Sequence, residues 1–129
     1  MSSLERPLSG DTLLFDLEDE RDRTEDRDTL ERSGRAARTL LKSGPLRVAL
    51  VSIAPGGEIA EHGTDGPFTL QPLRGRIHFT AGDQEYDLRP GQLLLCGAGV
   101  RHAVSSEEGG AFMLTVAHEV ADPHGETEG

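Results

Sequence analysis

Polar and apolar residues interleave without a helical period through Leu46-Arg47-Val48-Ala49-Leu50-Val51-Ser52-Ile53, which predicts a β-strand. Residues 35–42 read as its partner strand, joined through the turn Ser43-Gly44-Pro45. Val48 and Leu50 fall on one side of the second strand, and Ala49, Val51 and Ile53 on the other. Apolar residues on both sides require cover on both sides, from a neighbouring sheet or a second subunit. A homodimer built partly from this hairpin is therefore expected.

Turn signals then recur at short intervals: Pro55-Gly56-Gly57, residues 63–67, Arg74-Gly75, Ala81-Gly82-Asp83, Arg89-Pro90-Gly91, Gly97-Ala98-Gly99 and residues 107–110. The runs between them have the usual length of strands. Many short strands with Gly and Pro punctuation predict an all-β sandwich, jelly roll or small barrel. Before the strands, Leu13, Leu14, Phe15 and Leu17 form an apolar patch able to dock on a barrel wall. Residues 18–28 contain no apolar side chain, so a short helix or loop there is expected to bury no face. The chain thus divides into an acidic segment packing on the rim (1–34), a barrel domain (35–120) and a disordered tail (121–129).

Composition narrows the partners. The 129 residues fit one domain, and the formal net charge is −10. Residues 16–32 hold nine acidic and four basic side chains, or −5, half of that total. Such a surface repels phosphate backbones and anionic lipid, so neither nucleic acid nor a membrane is expected as a partner. The single cysteine, Cys96, rules out an intramolecular disulfide. No apolar run is long enough to span a bilayer and no secretory pattern opens the chain, so a cytoplasmic location is expected.

Two segments stand out by spacing. Gly56 is followed by five residues, His62, Gly63, Thr64, three residues, Phe68, six residues and Gly75. Further on, Gly91 is followed by five residues, Gly97, Ala98, Gly99, two residues and His102. This resembles the two-motif pattern of the cupin superfamily in every spacing, over residues 46–116. The resemblance implies a double-stranded β-helix, a jelly-roll barrel, with a short N-terminal helix or loop. It also implies a metal site in which His-x-His, a Glu and a second-motif His surround a transition metal.

Here the family's ligands are only partly present. His62 and His102 match the first-motif and second-motif histidines, whereas Thr64 takes the other His position and Phe68 the Glu position. Two imidazoles fall short of the three or four protein ligands of a working site, so no tightly bound cofactor is expected, and at most a loosely held divalent transition metal on His62 and His102. Asp65, or Glu58 by strand parity with His62, offers a carboxylate that would rebuild a two-His-one-carboxylate triad. Asp65 also suits a turn. Phe68 reads as a cavity plug, and Gln71 as an amide within reach of a ligand if it points inward. His78 lies opposite Ile77 and Phe79, and Cys96 reads as a small core residue.

The cavity candidates are therefore His62, Thr64, Phe68, Gln71 and His102. Two readings of the histidines stand side by side: groups that hold a ligand, or hydrogen-bonded relics of an ancestral metal site. Since the fold supports many activities, three functions are weighed. The first is a binding or sensing barrel for a small polar molecule. The second is a metal-dependent enzyme of dioxygenase or isomerase type with an incomplete ligand set. The third is an interaction protein with a filled interior.

Overall fold

The structure is a computed structural model that describes residues 12–25 and 27–118. The tail expected over 121–129 lies outside the described residues. The elements run α1 (Leu17–Thr24), α2 (Arg27–Ser33), β1 (Arg35–Ser43), β2 (Leu46–Ile53), β3 (Gly57–His62), β4 (Phe68–Gly75), β5 (Ile77–Ala81), β6 (Gln84–Leu88), β7 (Leu94–Cys96), β8 (His102–Ser106) and β9 (Gly110–Ala117). The strands pair antiparallel in two sheets, ordered β1-β2-β9-β4-β7 and β3-β8-β5-β6. The all-β fold expected from the turn spacing, and the jelly roll implied by the cupin resemblance, are what is observed.

The first hairpin forms where alternation placed it, and Gly44 supplies the left-handed turn at φ 56°. Leu46 pairs with Ser43 and Ile53 with Arg35. The core lies between the sheets, where Val51 and Ile53 meet Phe68, Leu70, Ile77, Phe79, Val104 and Phe112. Cys96 belongs to this core as a free, buried thiol.

The other side of β2 has a different cover. Leu50 and Ser52 are buried, and α1 packs against β2 and β1 there. The two-sided apolar pattern is thus satisfied within the chain on this face, and it supplies no argument for a second subunit. This corrects the expectation that residues 18–28 bury no face. Glu20 and Thr24 of α1 are both buried: Arg38 Nε donates to Glu20 Oε1 at 3.0 Å, and Thr24 Oγ1 donates to the Glu20 carbonyl at 2.7 Å. Arg74 pairs with Glu25 just beyond the helix. A helix without an apolar stripe can dock when its buried carboxylate meets a fixed guanidinium. The Asp16 carboxylate caps α1, accepting from the Glu18 and Asp19 amides, and three acidic residues occupy its first turn. No helix among the described residues is long and apolar enough to cross a membrane.

Candidate functional site

His62 closes β3 and His102 opens β8, and the two are partners across the β3–β8 ladder. A bulge between Ile59 and His62 makes this possible. Ile59 packs on the core and Glu58 is exposed; without the extra residue, His62 would share the side of Glu58. The parity argument for Glu58 as a third ligand therefore fails. Asp65 is exposed, and the turn it was expected to hold is held by Thr64, whose Oγ1 donates to the Gly66 carbonyl at 2.9 Å.

Each histidine is oriented by its own backbone. Nδ1 of His62 lies 2.9 Å from the Ala60 carbonyl, and Nδ1 of His102 lies 3.0 Å from that of Val100. A carbonyl only accepts, so each Nδ1 carries a proton, and a ring held this way presents its Nε2 lone pair when neutral. The ring centroids stand 4.3 Å apart at 61°. His102 is buried between Phe68, at 4.8 Å, and Phe79, whose ring stacks on it at 5.4 Å. Burial holds the His102 pKa below its ordinary range, and neighbouring His62 adds to the effect. His102 is accordingly neutral at physiological pH, whereas His62 is exposed.

The structure thus brings His62, His102 and Phe68 together. Thr64 sits in the adjoining loop with its hydroxyl proton committed to the turn, and its carbonyl accepts from the Gly99 amide at 2.9 Å. Gln71 does not join them. On β4 it alternates with buried Leu70 and Pro72 and is exposed, so it is no cavity residue. Ser106 is buried and ties β8 to the β4–β5 link, its Oγ donating to the Arg76 carbonyl at 2.6 Å. His78 lies on the outer side of its sheet, 3.5 Å from Glu85. A recess of about 470 Å³ on that side includes Arg76, His78, Asp87 and Ser105. A cleft of about 330 Å³ opens between β6 and β7. Neither is lined by His62 or His102. The cleft residues carry no motif; the only sequence signal was the run Leu93-Leu94-Leu95.

A family model described as a cupin domain matches residues 49–118, more than half of the chain. The chain belongs to the cupin family. Among curated proteins, no sequence matches this cupin. Solved structures that resemble it include a cupin superfamily protein from Desulfitobacterium hafniense, with a TM-score of 0.63 and 24% identity over 66% of this chain and 78% of that one. A conserved protein of unknown function from Streptococcus pyogenes gives 0.67 and 24% over 89% and 95%. Salicylate 1,2-dioxygenase from Pseudoaminobacter salicylatoxidans gives 0.72 and 15%, with 80% of this cupin matching 32% of that chain. At these identities the likeness is one of fold.

The metal that the family implies does not fit these side chains. Phe68 fills the carboxylate position with a ring packed on His102, and among the described residues no group of three His, Cys, Asp or Glu can hold a metal ion.

Proposed function

We propose that this cupin is a binding barrel rather than a catalyst, and that the histidine pair receives a small polar molecule through a hydrogen-bond donor such as a hydroxyl or ammonium group. The observation behind this reading is that both Nδ1 atoms are engaged by backbone carbonyls, which leaves Nε2 as the free ring nitrogen of each histidine, on rings whose centroids are 4.3 Å apart. A neutral His102 offers a lone pair and no charge, which favours a donor over a carboxylate. His62 is exposed, so the ligand has access from solvent. Two nitrogens can also hold a divalent transition metal loosely. A dioxygenase or isomerase is the weaker reading, because it rests on the shared fold alone.

Thermal melts of parent and His62→Ala against polyols, amines, carboxylates and divalent ions test the proposal. A polyol or amine at a hundredfold excess over its Kd should stabilise the parent by roughly 2.7 kcal/mol and His62→Ala not at all. Hits confined to carboxylates, no hits, or equal stabilisation of the variant would overturn it. Stoichiometric metal retained by untagged protein after dialysis against chelator would favour the enzyme.

A further inference from the structure

We propose that the cleft between the free edges of β6 and β7 is a second binding site, for a small molecule with an aromatic or alicyclic body and a single hydrogen-bond acceptor. β7 ends one sheet and β6 ends the other, so the space between the sheets opens here. Phe79, Ala81, Tyr86, Leu88, Leu94 and Cys96 line the cleft, whose volume of about 330 Å³ is at the lower end of small-ligand pockets. None of its lining residues carries a formal charge. Leu93 and Leu95 flank it with 66% and 73% of their surface exposed, apolar area that an occupant would cover.

Gln92 supplies the polar handle. Its Oε1 accepts from the Arg89 amide at 2.8 Å, which fixes the side chain and leaves the amide N–H groups without a partner among the described residues. A ligand carbonyl would meet them. Burial pushes the Cys96 thiol up, so it stays protonated and the occupant is held without covalent chemistry. β6 turns Glu85 and Asp87 to its other side, away from the cleft, so no carboxylate of that strand faces the occupant. The cleft shares no lining residue with the histidine pair but adjoins it: the Phe79 ring touches both Tyr86 and His102, Ala81 is the cross-strand partner of His102, and Cys96 is that of Phe68.

Acetophenone and ethylbenzene share a body and differ by one carbonyl. Cys96, the only cysteine, reports occupancy through its rate of alkylation by N-ethylmaleimide, alongside amide resonances of Tyr86, Leu94 and Cys96. Each compound at ten times its Kd should slow labelling by about elevenfold. Acetophenone should bind about fivefold tighter, the worth of one neutral hydrogen bond. Gln92→Ala, at an exposed position, should erase that difference and leave ethylbenzene unchanged, and Ala81→Leu should abolish both. His62→Ala should change neither, so this site and the histidine pair fail or survive independently. Three results would overturn the proposal: no saturable effect on labelling or resonances, a preference that survives Gln92→Ala, or protection that follows protein concentration rather than ligand.

Discussion

Arg38 of β1 donates from Nε to Glu20 of α1 across 3.0 Å, joining residues 18 apart in sequence. The Glu20 side chain is 8% exposed and that of Arg38 23%, so both charges are largely withdrawn from water. A buried carboxylate of this kind serves as an anchor and also as a liability, since removing either partner strands the other. Leu50 and Ser52 lie on the β2 surface that the helix covers, and Ser52 Oγ has no hydrogen-bond partner among the described residues.

Glu20→Gln should therefore destabilise the protein by about 1–2 kcal/mol, as expected for a charge-assisted hydrogen bond that retains some solvent access. Urea unfolding of Glu20→Gln, Arg38→Met and the double variant measures the coupling. Losses within about 0.5 kcal/mol, the level of ordinary surface changes, would show that α1 is held by something else.

Phe68→Glu returns a carboxylate to the position where the family keeps one. In chelator the variant should lose at least about 3 kcal/mol, because a buried ring is exchanged for a buried charge. Zinc or manganese should restore part of the loss and leave the parent unaffected, since His62, His102 and the new carboxylate make three ligands. Melting with and without metal decides the matter, and a variant that ignores both ions would show that the two imidazoles cannot converge on one centre.

Acid should weaken the fold through His102. Burial lowers its pKa in the folded chain, while the unfolded chain returns to the ordinary 6.5. The unfolded state then binds a proton that the folded state refuses, so this contribution to stability is intact above about pH 6.5 and is lost as pH falls below it toward the folded value. His102→Gln should flatten that part of the profile. Urea midpoints of parent and variant between about pH 7.5 and pH 5 provide the comparison, and parallel slopes would rule His102 out as the cause.

Two glycines with similar backbones should respond very differently to alanine. Gly75 has φ 77°, and a Cβ there would meet the Gly109 carbonyl at 2.2 Å and Gly110 Cα at 2.8 Å. Gly82 has φ 60° with nothing within 4 Å. Gly82→Ala should cost about 1 kcal/mol, the conformational penalty alone. Gly75→Ala should cost at least twice as much, or prevent folding, because backbone must move. Equal losses in chemical denaturation would mean that β4 and β9 can separate there.

Much of the architecture was legible because it is local. The Ser43-Gly44-Pro45 turn and the alternation after it fix the β1–β2 hairpin, and the spaced glycines mark the later turns. The motif spacing also brought His62 opposite His102. The failures were non-local or one residue wide. Glu58 lost its place because a bulge moves the side of the strand that His62 occupies, and nothing in the residues around Ala60 announces an extra position. Gln71 was a question of direction that only the burial of Leu70 and Pro72 answers. A polar helix could be recognised as a docking element only with Arg38 and Arg74 in place, each far along the chain from its carboxylate.

The sheet order β1-β2-β9-β4-β7 also sets a timetable for the newborn chain. β1 and β2 can pair as soon as both are made, but the second edge of β2 pairs with β9, the last strand among the described residues. Until then the hairpin is a two-stranded ribbon, marginal by itself and open along an apolar edge. β4 waits in the same way, since it also pairs with β9. The barrel therefore closes only once β9 has been made, and a nascent chain stalled before Gly110 is a client for chaperones rather than a smaller domain.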